Sequence, residues 1–317
     1  MNLASTPLRL SFLSTAALAL AAAAPAQSGG DPGLLLRLHG GFGPSTEFDG
    51  ATAPDAEVSV YRAGADLEYG MALAGGAALW FGFGAEAGAL DFDELGTAAP
   101  ALDAQFPQYG IQSLYLGYRR TLPDDTGLLL HLRAQTGTEG SADFADSLHY
   151  GVLAGVTTKV DDSLTVGLAV GGQSRLEGDP IPYFVPLVDW AIDETWSLSS
   201  GHVERDASGF GDLSGLRLKY RTSDAQDCYL GAGWQLRQVA FDPDDPVNPY
   251  AGGGLLENRF SVYGGTEWRA QHNLTLSLNL GYHLRQEYDV APLSGPSPQD
   301  LKTDPAPFVA LGVELRF

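Results

Sequence analysis

Asn273-Leu274-Thr275-Leu276-Ser277-Leu278-Asn279-Leu280-Gly281-Tyr282-His283-Leu284-Arg285 decides the fold class. Its even positions are all leucine or tyrosine, and its odd positions are all polar or glycine. A backbone that sends successive side chains to opposite faces therefore has one apolar and one polar surface here, whereas a helix would mix the two. The same split closes the chain, where Val309, Leu311, Val313, Leu315 and Phe317 alternate with Ala310, Gly312, Glu314 and Arg316. Toward the N-terminus it recurs at Tyr61–Tyr69, Leu79–Ala87, Leu114–Tyr118, Leu128–Arg133, Leu164–Val170, Leu216–Arg221, Leu230–Arg237 and Phe260–Trp268.

The periodicity predicts an all-β chain of fourteen strands, at 33–42, 57–70, 73–90, 109–121, 127–138, 147–160, 163–176, 183–192, 195–203, 213–222, 226–241, 257–270, 272–288 and 306–317. Two kinds of connection alternate between them. Tight turns are expected at Met71-Ala72, Leu122–Thr126, Asp161-Asp162, Asp193-Glu194, Ser223–Ala225 and Gln271, and mostly longer loops fill the other intervals. Short turns at one end and long loops at the other describe a transmembrane antiparallel barrel, with its turns in the periplasm and its loops outside. The segment 183–203 is the weak link, because Pro182 and Pro186 remove ladder donors; without it the barrel would have twelve strands.

The polar face carries Arg217, Lys219, Arg221, Arg237, Glu267, His283 and Arg285, which a small soluble core would not bury. The apolar face must then meet lipid or a second sheet. A soluble sandwich is the alternative, but strands of this length exceed those of ordinary sheets. Aromatic residues also precede the short turns at Tyr69, Tyr118, Trp190, Tyr220 and Trp268, with Phe317 at the terminus, as in an interfacial girdle.

Residues 1–26 set Arg9 before an apolar run from Leu10 to Ala24, and Ala24-Pro25-Ala26 fits a signal-peptidase site. Cleavage after Ala26 is expected to leave 27–317 as one domain, since the run is shorter than the ~20 residues of a spanning helix. The chain holds 18 Lys+Arg against 39 Asp+Glu, a net charge of −21 that repels nucleic acid. One cysteine and six histidines show no metal-ligand spacing, so no cofactor is expected.

No enzyme constellation emerges either. Gly211-Asp212-Leu213-Ser214-Gly215 misses the GxSxG elbow by one position, and Gly82, Gly84 and Gly88 lack GxGxxG spacing, lying in a strand where glycine relieves inward crowding. His202, Glu204 and Asp206 fall near a long-loop end, where acidic residues are common throughout. His149-Tyr150-Gly151 and His202-Val203-Glu204 do not match the His-x-Ser-Asn-Gly segment by which outer-membrane phospholipases resemble one another. The acidic stretch 242–249 lacks the glycine and terminal glutamate of a calcium loop and reads as solvated.

The segment Pro307-Phe308-Val309-Ala310-Leu311-Gly312-Val313-Glu314-Leu315-Arg316-Phe317 resembles the last strand of bacterial outer-membrane proteins. That resemblance implies recognition by the barrel-assembly machinery through Val313, Leu315 and Phe317. More broadly, 45–317 resembles an uncharacterised family of outer-membrane barrels, a domain of unknown function, through Gly178-Asp179-Pro180-Ile181-Pro182, Pro186-Leu187-Val188-Asp189-Trp190, Leu216-Arg217-Leu218-Lys219-Tyr220, Gly264-Gly265-Thr266-Glu267-Trp268 and Asp304-Pro305-Ala306-Pro307. It implies fold and outer-membrane location and carries no activity. The surroundings would be membrane lipid and lipopolysaccharide.

Two-residue parity sends Arg217, Lys219, Arg221, Arg237, Arg259 and Arg285 inward, with Arg62, Asp66, Glu68, Glu86, Glu267 and Glu314 on the same face. In a water-filled lumen these charges would select solutes; in a narrow one they would form a plugging salt-bridge network. The expected function is a passive channel for small polar solutes. The alternative is a non-conducting structural or surface-interaction barrel working through its acidic loops, and a hydrophobic-substrate transporter is less favoured because only a short segment precedes the first strand.

Overall fold

The computed structural model describes residues 33–48, 56–93, 108–139, 142, 144–145, 147–176, 179–200, 214–244, 250–291 and 299–317. The leader, the trio His202, Glu204 and Asp206, and most of the 242–249 stretch lie outside the described residues.

Alternation becomes strand nearly everywhere it was expected. In chain order the strands are β1 (Leu34–Glu47), β2 (Glu57–Leu73), β3 (Ala77–Asp93), β4 (Tyr109–Thr121), β5 (Thr126–Glu139), β6 (Leu148–Lys159), β7 (Leu164–Gln173), β8 (Ile181–Ala191), β9 (Trp196–Ser200), β10 (Ser214–Ser223), β11 (Gln226–Ala240), β12 (Gly254–Gln271), β13 (Leu274–Ala291), β14 (Gln299–Lys302) and β15 (Ala306–Arg316). Each pairs antiparallel with its neighbour, and the ring closes through β1 on β15 and β12 on β13. β14 and β15 are two halves of one stave. Both pair with β13 in a single register, His283 opposite Ala306 and Glu287 opposite Lys302, interrupted only at Asp304-Pro305, where proline has no amide to give. The barrel therefore has fourteen staves.

The weak link resolves by direction. Val188 donates its amide to Ser200 Oγ on β9, so the even-numbered amides of β8 face β9. Pro182 and Pro186 share that parity. They leave the β7 ladder intact and remove donors only on the other edge, where among the described residues β8 and β9 pair over Asp189–Ala191.

The turns hold two small corrections. β2 and β3 extend past Met71-Ala72 to pair Leu73 with Ala77, and Ala74-Gly75-Gly76 makes the turn, with φ of +73° at both glycines. His272-Asn273, one residue beyond Gln271, joins β12 to β13. Elsewhere aspartates organise the turns. Asp161 Oδ1 accepts from the Ser163 amide (2.7 Å), the Ser163 hydroxyl (2.8 Å) and the Leu164 amide (3.0 Å). Asp193 Oδ1 does the same for Thr195 and Trp196.

Outward parity carries an apolar belt around the ring, with Phe184, Leu230 and Leu114 exposed at 69%, 66% and 61%. Contiguous apolar surface on this scale belongs against hydrocarbon. Below it the expected aromatic girdle is in place, with Tyr69 against Phe81 at 5.6 Å and Trp196 against Tyr220 at 4.7 Å between centroids.

Inside, the long-loop end is filled. Phe48, Val58, Leu90, Phe92, Tyr288 and Val290 belong to one buried apolar cluster drawn from β2, β3, β4 and the far ends of β11–β14. β11 explains the closure. Its lower part is ordinary wall, but beyond Trp234 both faces are buried, including Leu236, Gln238 and Ala240 on the parity that faces lipid lower down. There Ala240 bridges Thr138 of β5, six staves away, and the Gln238 carbonyl packs so close to Gly137 that a Cβ would collide with it. Gln238 also donates to the Ser174 carbonyl (3.0 Å) and accepts from the Leu176 amide (2.8 Å). The far end of the β11–β12 hairpin thus reaches across the lumen.

Candidate functional site

The candidate site is the lumen, and it has two storeys. In the storey nearest the short turns, ion pairs run along the wall. Arg217 Nη1 lies 2.8 Å from Glu267 and Lys219 Nζ lies 3.3 Å from the same carboxylate, joining β10 to its second neighbour β12. Arg217 also stacks 4.3 Å above the Tyr229 ring. Farther round the ring, on β15, β1 and β2, Arg37 donates to Glu314 at 3.1 Å and approaches Glu68 at 3.8 Å, all on adjacent staves. Tyr115 donates to Glu68 (3.1 Å) and Tyr229 to Asn279 (2.6 Å), again between second neighbours. Asp66, Lys219 and Glu68 keep side-chain exposures of 25%, 20% and 19%, whereas Arg37, Arg217 and Glu314 keep 8%, 7% and 9%, so water reaches part of this interior.

In the storey above, the bonds cross the lumen. Arg237 of β11 forks onto Glu86 of β3 at 3.0 and 3.1 Å, although the two staves stand six apart around the ring. In the opposite sense Arg62 of β2 donates Nη2 to both oxygens of Glu257 on β12, at 2.7 and 2.6 Å. Arg62 Nε also donates to Tyr109 Oη (2.7 Å). Gln235 accepts from both Arg237 (3.0 Å) and Arg259 (2.7 Å), and Gln286 donates to Glu257 (3.1 Å). Arg–Glu facing Glu–Arg makes a two-point latch between walls, with every remaining oxygen fed by a neighbouring donor, as buried charge requires.

Of the residues singled out by parity, Arg217, Lys219, Arg237, Glu267 and Glu314 lie on the inner face. Arg221 shares it but sits at the rim, its side chain 58% exposed, 3.9 Å from Asp227. Arg285 is a correction. A bulge at Leu284, where Phe260 pairs with Arg285 but Ser261 pairs with His283, reverses the parity of β13. Arg285 consequently points outward, 55% exposed, beside Trp234 and 2.9 Å from Glu287, while Gln286 and Tyr288 turn inward. Val313, Leu315 and Phe317 keep their alternation, and the Phe317 amide closes onto the Leu34 carbonyl at 2.9 Å.

Sequence reasoning missed one pair. Ser261 Oγ stands 2.7 Å from His283 Nδ1 inside the barrel, the spacing of a nucleophile and its base. Its other contacts assign the opposite role. Arg259 Nη1 faces His283 Nε2 at 3.3 Å and a guanidinium only donates, so Nε2 accepts, Nδ1 carries the proton and Ser261 receives it. With the ring stacked on Phe308 at 4.4 Å, the pair is structural.

No family model and no curated protein matches the chain. Solved structures do. An outer-membrane channel from Pseudomonas putida F1 is similar over 92% of this chain and 97% of its own, with a TM-score of 0.50 at 10% identity. The toluene transporter TodX of P. putida gives 0.45 at 10% identity over 92% and 91%, and the NanC porin 0.38 at 10% over 89% and 100%. What the first of these likenesses shows is the fold: a closed, all-β, fourteen-stave barrel of the outer-membrane type.

Proposed function

We propose that the chain, exported through cleavage after Ala26, is a passive channel for small solutes in a bacterial outer membrane, without enzymatic activity. In this reading the short turns face the periplasm, the long loops meet lipopolysaccharide, and Val313, Leu315 and Phe317 address the assembly machinery. The observation that carries it is the lower storey, whose charges pair along the wall and not across it, and which water reaches at Asp66, Lys219 and Glu68. The latch above it then sets the rate of passage. That same latch favours a second reading, a non-conducting surface barrel, because its pairs join staves six and four apart around the ring.

Planar-bilayer current separates the two. Folded wild-type protein should give small steps in KCl, and Glu86→Gln with Arg237→Gln should enlarge them several-fold. Silence from both proteins, with heat-modifiable gel migration intact, would establish the non-conducting barrel.

A further inference from the structure

The two layers that close the lumen come in a fixed order. Two residues toward the long loops from Arg62 is Val60; from Arg237, Val239; from Glu257, Leu255; from Gln286, Tyr288. Because a strand repeats every two residues, these four members of the charged layer are directly overlain by members of the apolar cluster. A solute entering from the long-loop side meets aromatic and aliphatic side chains first, where Phe92 stands 5.6 Å edge-on to Tyr288 and 6.1 Å from Phe48. It meets guanidiniums next.

That second layer has an excess of positive charge. Among the described residues its hydrogen-bonded network holds the guanidiniums of Arg62, Arg237 and Arg259 and the carboxylates Glu86 and Glu257, both already engaged by arginine. Asp66, the next inward acid along β2, lies on the short-turn side, 3.6 Å from His39. On Arg62 one donor is left over. Arg62 Nη1 is buried without a hydrogen-bond partner, while Nε and Nη2 of the same group are satisfied. A buried charged donor left unmade is costly, and a ligand acceptor is what would satisfy it.

Resting on the channel reading, we propose that this boundary selects a monoanion with an apolar body, an aromatic carboxylate in chemical class, its ring against the Phe48, Phe92 and Tyr288 cluster and its carboxylate on Arg62. A bare inorganic anion lacks the contacts an apolar body makes in the layer above the guanidiniums, so it passes but binds weakly. A neutral apolar solute gains nothing from the guanidiniums, and a cation is repelled by them.

The test uses the full chain in detergent, titrated calorimetrically at neutral pH with benzoate, acetate and benzylamine. Benzoate should bind saturably and about tenfold or more tighter than either comparison probe, and Arg62→Met should abolish the difference. Should Arg62→Met not fold, a 4-bromobenzoate soak of wild-type crystals decides, with the anomalous bromine expected among Phe48, Phe92 and Tyr288. Equal binding of the three probes, or bromine elsewhere, overturns the proposal. Loss of the benzoate signal with KCl current present rejects this site and keeps the channel; benzoate binding without current rejects the channel and keeps the site.

Discussion

The storey near the short turns and the storey near the long loops are built from the same residue types, arginine, glutamate and tyrosine on inward parity, yet they do opposite things. Below, Arg217, Lys219 and Glu267 or Arg37, Glu68 and Glu314 reach no further than a second neighbour. Above, Arg237 and Arg62 find partners six and four staves away. The difference lies in the backbone. β11 leaves the wall beyond Trp234 and brings its charges within reach of β3, so composition alone does not tell a pore lining from a plug.

The hardest way to break this contrast is to remove half of one crossing pair. Arg237→Gln leaves the buried Glu86 carboxylate without its fork and should destabilise the barrel by about 3–5 kcal/mol. Adding Glu86→Gln removes the uncompensated charge and should recover much of the loss. Urea unfolding of both proteins measures the difference, and equal stability of the single and double variants would contradict a buried pair.

Gly137→Leu attacks the same region from the facing wall. Any side chain at 137 runs into the Gln238 carbonyl, so the hairpin end has to withdraw and the conductance should rise several-fold. Unaltered current with the fold retained would mean that the hairpin does not limit passage.

Much of this was legible in the sequence. Asn273–Leu284 alternates as a barrel strand should, and the prolines of β8 left a recognisable weak seam. Gln238 also gave a signal, since two-residue parity assigns this polar side chain to lipid, an expensive placement that the in-turned hairpin removes. Arg285 was misplaced because a bulge changes parity without changing composition. A salt-bridge network among the inward charges was one of the two expectations, but its pairings and the Ser261–His283 pair were not legible, because each depends on which distant or neighbouring stave supplies the partner and periodicity fixes only the face a residue takes.

In the lower storey substitutions should be mild. Lys219→Gln removes one of two cations on Glu267 while Arg217 stays at 2.8 Å, so stability should change by less than about 1 kcal/mol. The readout is the reversal potential, which should shift toward cations. The shift should be modest, because Glu267 already offsets part of the basic cluster formed by Arg217, Lys219 and Arg221. An unchanged potential would remove Lys219 from the conduction path.

The smallest expected effect belongs to the short turns. Hydrogen bonds from the Ser163 hydroxyl and amide hold the Asp161 carboxyl below its ordinary range, and the Thr195 amide and hydroxyl do the same for Asp193. A carboxyl whose folded pKa is depressed contributes stability that is complete above its unfolded value of 3.8 and is lost as pH falls through the folded one. Acidification below about pH 4 should therefore loosen the β6–β7 and β8–β9 turns before the latch region responds. Amide hydrogen exchange at Leu164 and Trp196, whose N–H groups donate to these aspartates, reports it directly. Asp161→Asn with Asp193→Asn should raise exchange at both amides at neutral pH and flatten its dependence on pH, since neither replacement titrates. If the wild-type amides exchanged with the same protection at pH 3 and pH 7 once intrinsic rates are divided out, the turns would owe their geometry to the strands they join, and the contrast between the two storeys would end at the rim rather than include it.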